Sequence, residues 1–336
     1  MYKSMGTIAI IGPRGLPKDF VGTSGIEGYV EAQLPELVKR YSVRCYVRSW
    51  THRHECQPTV YGAKLVRIPS INNPYLDTIS YSLIASIHAS LSPANIVWYH
   101  GIGPAVFSFI PRLFHKQVYT TIHALDWKRK KWGSVAKLFL KFCETVTLVF
   151  SNKIFVVSKG LAEHYRAFGK GDITLAKYIA PTGLKTQGRA TLKKYGLKKN
   201  QYILYMGRFV PEKRIEWLVS ASAWNSLPIV IAGGANHPSE YENILRQSAV
   251  GKNVLFTGYV LGDEKFELLS NCRFFVLPSE IEGFPIGVAE ALEFGRTCLV
   301  GDFLRGEYDH TQPITFFKTR DYNDFLKQFL RLSHNP

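Results

Sequence analysis

The feature that most constrains the fold is an alternation of short apolar runs with longer amphipathic stretches along all 336 residues. Short runs rich in Val, Ile and aromatic residues are typical of buried strands, and the stretches between them repeat apolar residues at helical spacing. The predicted strands are residues 7–11, 43–47, 65–68, 96–99, 118–122 and 153–157, followed by strands near Tyr202, Ile229, Val254, Phe274, Cys298 and Ile314. Strands that alternate with helices form a parallel sheet covered on both faces. The pattern therefore predicts an α/β fold.

The length of the chain and a break in its pattern predict two Rossmann-like domains. A chain of 336 residues fits two domains that each bury a core. The polar stretch Lys185–Arg189 is a predicted linker, which divides the chain into residues 1–183 and 184–336. Ligands of parallel sheets bind at the carboxyl ends of the strands. We therefore expect the functional site in a cleft between the two domains.

A segment in the second half carries two glutamates across a strand end, a turn and a helix start. Pro278 and Gly283 force a loop after the predicted strand, and a helix is predicted to begin near Ile286. Glu282 falls in the turn, and Glu290 falls about one turn into the helix. Backbone amides at a helix start bind anions and sugar hydroxyls, and carboxylates beside them suit the hydroxyls of a sugar or a ribose.

An earlier segment supplies cations in the same structural context. A short apolar strand is followed by Gly207 and Arg208, then by Lys213 and a predicted amphipathic helix. The planar guanidinium of Arg208 and the compact ammonium of Lys213 suit a diphosphate without a metal. An isolated loop glutamate, arginine or lysine is usually a solvated surface charge. Two such segments, each following a strand in one sheet, predict a single site.

These segments together resemble the donor site of retaining nucleotide-sugar glycosyltransferases of the GT-B type, the family 4 group. The matching residues are Gly207, Arg208, Lys213, Glu282, Gly283, Phe284 and Glu290. Residues 12–15, 25–31 and 123–128 further resemble a bacterial polysaccharide branch that includes rhamnosyltransferase-like enzymes. The resemblance covers nearly the whole chain. It implies two Rossmann-like domains that face each other across a cleft.

The resemblance also implies a role for each matching residue. Arg208 and Lys213 would bind the donor diphosphate, and Glu290 would hold the ribose. Glu282 would hold hydroxyls of the donor sugar, and His123 would face the transferred sugar from the other domain. The turn after Glu282 would assist with its backbone amides, and it comprises Gly283, Phe284, Pro285 and Ile286.

Other candidate site residues follow from their position in the chain. Gly15 lies in a loosely Gly-rich loop after the first strand, where a backbone must approach the donor phosphate or the acceptor. Val260 is expected to line the base pocket, and Glu27 and Asp126 are candidates for orienting the acceptor. The resemblance then implies transfer of a hexosyl group from a nucleoside diphosphate sugar to a glycan or lipid-linked acceptor, with retention and without a cofactor or metal.

Positive charge is concentrated in the first domain. Residues 1–185 contain 24 Lys and Arg against 10 Asp and Glu, an excess of 14, whereas the whole chain has a net charge of +16. Because the resemblance assigns the acceptor to this domain, the charge favours an anionic acceptor or an anionic membrane surface as its partner.

One stretch concentrates this charge between two tryptophans. Residues 127–132 read Trp-Lys-Arg-Lys-Lys-Trp. Apolar residues at helical spacing follow at Val135, Leu138, Phe139, Phe142 and Val146. Aromatic, basic and apolar side chains together suit a membrane interface. We expect the apolar residues to form the core face of an ordinary helix rather than to insert into a membrane. Adsorption to the membrane surface through the basic cluster is expected in either case.

The sequence predicts a cytoplasmic protein that adsorbs peripherally to the inner face of the membrane. It contains no apolar run of transmembrane length and no signal-peptide core. Its five cysteines are scattered and lack metal-ligand spacing, as expected of reduced thiols.

Three alternative functions share some of these features. An epimerase or a phosphorylase could use the same scaffold, although we identify no lysine for the cofactor of a phosphorylase. A basic nucleic-acid-binding protein would explain the net charge of +16, but no recognition motif is visible and the second domain is nearly neutral. A scaffold that binds nucleotide without turnover is the third alternative.

Overall fold

The computed structural model describes residues 5–17, 25–51, 58–71, 73, 76–128, 132–168, 172–176, 190–235, 239–308 and 311–334. The chain divides into two compact units, Met1–Ile179 and Ala180–Pro336. The boundary predicted after residue 183 and the predicted linker Lys185–Arg189 lie outside the described residues.

The first unit is built on an eight-stranded sheet in the order β3-β4-β2-β1-β5-β6-β7-β8. All neighbouring strands pair in parallel except the short β3, which is antiparallel to β4. Their bounds are β1 Thr7–Ile11, β2 Ser42–Arg48, β3 Thr59–Val60, β4 Ala63–Ile68, β5 Ile96–His100, β6 Gln117–Ile122, β7 Lys153–Val156 and β8 Ile173–Leu175.

The helices of the first unit cover both faces of this sheet. They are α1 Gly25–Leu37, α2 Asp77–Leu91, α3 Phe109–Leu113, α4 Ser134–Phe150 and α5 Lys159–Arg166. The connections from β4 to β5, from β5 to β6 and from β6 to β7 step in one direction across the sheet. Right-handed crossovers therefore place α2, α3 and α4 on one face, and α1 lies on the other. Two apolar clusters, one against each face, form the core.

The second unit has a six-stranded parallel sheet in the order β11-β10-β9-β12-β13-β14. Its strands are β9 Ile203–Met206, β10 Ile229–Ala232, β11 Val254–Gly258, β12 Phe274–Leu277, β13 Thr297–Gly301 and β14 Ile314–Phe317. Its helices are α6 Ala190–Lys194, α7 Ile215–Ala221, α8 Glu240–Ser248, α9 Gly262–Asn271, α10 Ile286–Glu293 and α11 Tyr322–His334. β9 and β12 are buried throughout or nearly so, as expected of central parallel strands.

The α/β fold and each of the twelve predicted strands are confirmed. The sequence pattern missed β3 and β8, which have two and three residues and lie at the two edges of the first sheet. Strands this short contain too few residues to show a period.

The prediction that the apolar residues of α4 form a core face is wrong for most of them. Val135, Leu138 and Phe142 are 84%, 71% and 57% exposed. The buried face of α4 instead contains Cys143, Glu144, Val146, Thr147 and Leu148. Hydrogen bonds hold this face inward, because the Glu144 carboxylate accepts from the Tyr165 hydroxyl at 2.5 Å and from the Trp127 indole at 3.3 Å.

Within the described part of the chain, no helix combines the length and apolar character needed to cross a bilayer.

Candidate functional site

In the second unit, the candidate site lies where the order of strands reverses. β10 and β11 follow β9 on one side of the sheet, whereas β12, β13 and β14 lie on its other side. Loops that leave the carboxyl ends of β9 and β12 therefore diverge and open a crevice, which is the usual ligand site of such sheets. The sequence motif around Arg208 follows β9, and the motif with the two glutamates follows β12.

An ion pair joins these two loops directly. The ammonium group of Lys213 pairs with a carboxylate oxygen of Glu282, and both side chains are largely buried. The two residues are 69 positions apart in the chain and meet because β9 and β12 are hydrogen-bonded neighbours. The structure thus brings together the predicted diphosphate-binding lysine and the predicted sugar-binding glutamate.

A second pair of charges joins the same two loops. Arg214 donates to the buried carboxylate of Glu280, with its Nε 2.7 Å from Oε1. The backbone amide of Glu280 also donates to the carbonyl of Glu212 at 2.9 Å. Arg214 has φ 51°, a left-handed conformation that turns the chain into α7. Neither charge of this pair was identified from the sequence, although both stand beside predicted site residues.

Arg208 is half-buried at the end of β9 and has no ion pair or side-chain hydrogen bond among the described residues. Its carbonyl accepts from the Tyr205 hydroxyl at 3.2 Å. Burial, with a smaller contribution from Glu282, raises the pKa of Tyr205 well above its usual value. The guanidinium is therefore a candidate ligand for an anion that enters the site.

Close backbone packing explains the glycine that follows β10. Gly233 follows β10 with φ +129°, and a Cβ there would lie 1.9 Å from the carbonyl oxygen of Gly207. The amide of Gly207 donates to Ala232 at 3.0 Å. Glycine at 233 thus lets the ends of β9 and β10 approach each other beside the site.

Glu290 lies on α10 and is only 2% exposed. The ammonium group of Lys265 on α9 is 2.6 Å from its Oε1 and 2.5 Å from its Oε2. Lys265 is a further cation at the predicted ribose-binding residue, and the sequence motifs gave no sign of it. Val260, between β11 and α9, is buried in the core of the unit.

The remaining predicted donor residues form the loop before α10. Glu282, Gly283, Phe284 and Pro285 are half-buried or buried, and Ile286 is the first residue of the helix. No described side chain caps the start of α10. The amides of Ile286 and Val288 already donate to the carbonyls of Phe284 and Pro285 at 3.1 Å and 3.0 Å. An anion or a hydroxyl oxygen at this helix start would therefore meet the amide of Gly287 and the positive end of the helix dipole.

Two hydroxyl groups near Glu282 were missed by sequence reasoning. The hydroxyls of Tyr308 and Ser279 are buried and have no hydrogen-bond partner within the described part of the chain. Burial, with smaller contributions that include Glu282, raises the pKa of Tyr308 well above its usual value. Buried hydroxyls without partners are costly, and a bound ligand is one way to satisfy them.

In the first unit, the order of strands reverses between β1 and β5. A Cβ on Gly12, which follows β1 with φ +139°, would lie 2.5 Å from the carbonyl oxygen of His100, the last residue of β5. Arg48 supports the loop after β1, since it pairs with Asp77 at 2.7 Å and donates to the carbonyl of Pro13 at 3.1 Å. Gly15 lies in this loop and is buried.

His123 follows β6 and contacts a second histidine beside this loop. His100 Nδ1 is 3.1 Å from His123 Nε2, and Tyr29 packs edge-on against His123 at 4.9 Å. Burial lowers the pKa of His123 to about 3 and lowers that of His100 well below its usual value, so both rings are neutral near pH 7.

The environment of His100 decides how this pair shares its protons. Its Nε2 is buried without a partner among the described residues. A bare ring nitrogen is less costly to bury than an unpaired N–H, which favours the tautomer in which His100 donates from Nδ1 to His123 Nε2. In that tautomer His123 carries its own proton on Nδ1.

The two predicted acceptor-side carboxylates have different surroundings. Glu27 is 1% exposed, and its Oε1 accepts from the Arg14 amide at 2.7 Å, so the structure shows it fixing the loop after β1. Asp126 is half-buried and begins a short 3-10 turn after β6. A role for either residue toward an acceptor stays a prediction.

Comparison with family models covers both units. Residues 5–181 match the model described as "Domain of unknown function (DUF1972)". The chain belongs to the DUF1972 family. Residues 189–332, which span the candidate site of the second unit, match the model described as "Glycosyl transferases group 1".

Two curated relatives resemble parts of this DUF1972 protein. O-antigen chain mannosyltransferase C of Escherichia coli is 32% identical over 30% of the chain and 29% of its own length. Sulfoquinovosyl transferase SQD2 of Arabidopsis thaliana is 26% identical over 72% of the chain and 50% of its own length. The chain thus spans half or less of these relatives.

A solved structure establishes the fold class. The structure of Anabaena HepE in complex with UDP and glucose has a TM-score of 0.76 and 12% identity to this chain, with 98% of the chain and 90% of HepE covered. The protein therefore has the GT-B fold, with two parallel-sheet, Rossmann-like domains.

Proposed function

We propose that this protein is a retaining glycosyltransferase that moves a hexosyl group from a nucleoside diphosphate sugar to a glycan or lipid-linked acceptor. The observation that carries the proposal is the buried pair of Lys213 and Glu282, with Arg208 on the same loop as Lys213, at the strand reversal of a glycosyl transferases group 1 domain. The HepE structure, which shares the fold, holds UDP and glucose, and a partial relative is named O-antigen chain mannosyltransferase C.

Charge complementarity supports a diphosphate at this site. Arg208 can donate to two phosphate oxygens from its planar fork, and Lys213 can exchange its bond to Glu282 for one to phosphate. Once released, the carboxylate of Glu282 can accept hydrogen bonds from sugar hydroxyls. Glu290 would accept from the ribose hydroxyls while Lys265 keeps its charge compensated. These cations would replace a divalent metal, so activity is expected to survive a chelator.

The proposed reaction keeps the configuration of the sugar. The bond from the anomeric carbon to the diphosphate breaks, and a bond to the acceptor oxygen forms on the same face. The acceptor proton passes to the departing phosphate oxygen. Arg208, Lys213 and the amides before α10 would stabilise the negative charge that develops on the leaving group.

The first unit would bind the acceptor. Its excess of positive charge suits an acceptor that carries phosphate or carboxylate groups. The neutral His123, with its proton on Nδ1, would donate to the transferred sugar.

Thermal unfolding in the presence of UDP, GDP, ADP, TDP and their sugar conjugates tests the donor site. A ligand at about 100 times its Kd adds about 2.7 kcal/mol to the free energy of unfolding. We expect one diphosphate family to stabilise the protein and Arg208→Ala to lose that effect. Arg331→Ala, at an exposed arginine of α11, is the matched control that should keep it.

Turnover separates the enzyme from the alternatives. With the stabilising donor, we expect release of nucleoside diphosphate and a product whose anomeric configuration, measured by NMR, is that of the donor. Glu282→Ala should abolish both. If short RNA or DNA stabilises the protein in a salt-sensitive way and no nucleotide does, the protein is a nucleic-acid-binding protein instead.

A further inference from the structure

Helix α4 exposes an apolar face along its N-terminal half. Val135, Leu138, Phe139, Phe142 and Val149 are between 39% and 84% exposed. The first four follow the helical spacing of three and four residues, so they share one face, which ends at the buried Val146 one turn after Phe142. An exposed row of this size on a helix indicates an interaction surface.

The apolar surface extends across the two neighbouring helices. α3 packs against both α2 and α4, and the Phe109 and Phe150 rings lie 6.0 Å apart. All three helices cover the same face of the first sheet. Their exposed apolar side chains are Leu83, Ile84, Ile87 and Leu91 on α2, Phe109 and Leu113 on α3, and the five residues of α4. We call this set the apolar face.

The charges on these helices are of one sign. The acidic residues of α2, α3 and α4 are Asp77 and Glu144, and both are buried and paired within the unit. The basic side chains are exposed. Lys141 on α4 and Lys128 just before it lie at the solvent surface, with their ammonium groups 5.0 Å and 5.4 Å from the centre of the Trp127 ring. The basic residues Arg129–Lys131 adjoin them in the sequence and lie outside the described residues.

We propose that the apolar face and its flanking lysines dock the first unit on an anionic lipid bilayer. Apolar and aromatic side chains would enter the interface while lysines contact lipid phosphates. A second copy of the chain fits less well, because it would bring cations against cations with no exposed carboxylate from these helices to pair with them. The proposal does not depend on glycosyl transfer, because none of these residues belongs to the candidate site.

Vesicle flotation of the full chain tests the proposal. We expect binding to vesicles of phosphatidylcholine and phosphatidylglycerol in about equal parts, little binding to phosphatidylcholine alone, and release by salt. Leu138→Asn/Phe142→Asn should lower binding at least about tenfold, since each change removes apolar area from the bilayer. Ile244→Asn/Val250→Asn, at exposed apolar residues of the second unit, is the matched control and should bind as the wild type does.

Charge reversal tests the lysines separately. Lys128→Glu/Lys141→Glu should lower binding to the anionic vesicles by about tenfold or more, because each lysine near an anionic surface adds attraction. Lys198→Glu/Lys252→Glu makes the same change of net charge in the second unit and should have a smaller effect.

Three results would overturn the proposal. They are failure of the wild type to bind anionic vesicles, equal binding of the Leu138/Phe142 variant and the wild type, and a dimer in sedimentation that this variant dissociates. The variants alter exposed side chains, so folding should be preserved, and stabilisation by a nucleoside diphosphate checks this independently of lipid binding. A protein that binds lipid without turning over any donor would support docking and contradict only the proposed glycosyl transfer.

Discussion

At the scale of single residues, the candidate sites bury charged and hydroxyl groups that water would surround in an isolated side chain. Lys213 and Glu282 neutralise each other in a buried setting, and the hydroxyl of Tyr308 is buried without a partner in the part of the chain that the structure describes. Burial of a polar group costs free energy unless a hydrogen bond compensates it. Groups that remain uncompensated are therefore the first to consider as ligand contacts.

Tyr308→Phe should separate ligand binding from stability. Removing an unsatisfied buried hydroxyl should leave the free energy of unfolding unchanged or raise it by about 1 kcal/mol. Loss of a hydrogen bond to the donor should lower its affinity, measured by titration calorimetry, by about fivefold to tenfold.

Tyr202→Phe is the matched control for that change. Its hydroxyl donates to the carbonyl of Leu268 at 2.6 Å, so its removal should cost about 1 kcal/mol of stability and leave donor affinity unchanged. Equal donor affinity in Tyr308→Phe and the wild type would remove Tyr308 from the site.

The histidine pair should make stability depend on pH. His123 has a pKa of about 3 in the folded protein, and His100 is also shifted well downward, whereas an unfolded histidine titrates near 6.5. Between these values the unfolded state binds more protons, so stability falls as the pH falls below 6.5. Urea denaturation should show a loss of about 2 kcal/mol from His123 alone between pH 7 and pH 5, and a larger loss with the contribution of His100.

The double variant His100→Phe/His123→Phe should lose most of this pH dependence. His334→Gln, at an exposed histidine near the end of α11, should retain it. An identical slope of stability against pH in the double variant and the wild type would contradict the assignment.

At the scale of the elements, the strand order creates the candidate site of the second unit. β9 is central, and the loops after β9 and β12 face each other only because these strands pair directly. The ion pair between Arg214 and Glu280 then holds the two loops together. The close contact of Gly233 with Gly207 determines how near the ends of β9 and β10 lie to each other.

Gly233→Ala should damage the site through the backbone. The new Cβ would collide with the carbonyl of Gly207, and φ +129° is unfavourable for alanine. We expect a loss of at least about 2 kcal/mol of stability in chemical denaturation, with weaker donor binding. Gly306→Ala is the control, because no described atom lies within 4 Å of the point that its new methyl group would occupy, and it should be nearly neutral.

At the scale of the whole molecule, the chain contains separate apolar cores. The second unit has one large cluster around its sheet, and the first has a cluster on each side of its own sheet. Phe275 lies in the core of the second unit, and its ring would be 3.0 Å from a Cβ placed on Gly287 of α10. A change in this core should therefore shift α10 and, with it, the residues of the candidate site that α10 carries.

Phe275→Ala should destabilise the second unit by about 3–5 kcal/mol, because it leaves a cavity in a well-packed core. Hydrogen exchange should show lost protection in β9, β10 and β12 and unchanged protection in β1 and β5. Phe303→Ala, at a residue that is 37% exposed, should change protection little. A uniform loss across both sheets would show that the chain unfolds as one unit.

The sequence by itself determined twelve of the fourteen described strands, the α/β class and the two motifs that follow β9 and β12. These features are local, because a short apolar run, a proline or a glycine restricts its own part of the backbone. The resemblance carried by Arg208, Lys213, Glu282 and Glu290 also needed only the identity and order of residues along the chain.

Only the tertiary structure decided which side chains meet. Lys265, Tyr308 and His100 come from other elements, so no spacing in the sequence could connect them with the motifs. The apolar face of α4 was misassigned for the same reason. Helical spacing shows that residues share a face, but whether that face is covered depends on the packing of distant segments, here through the bonds of Glu144 to Trp127 and Tyr165.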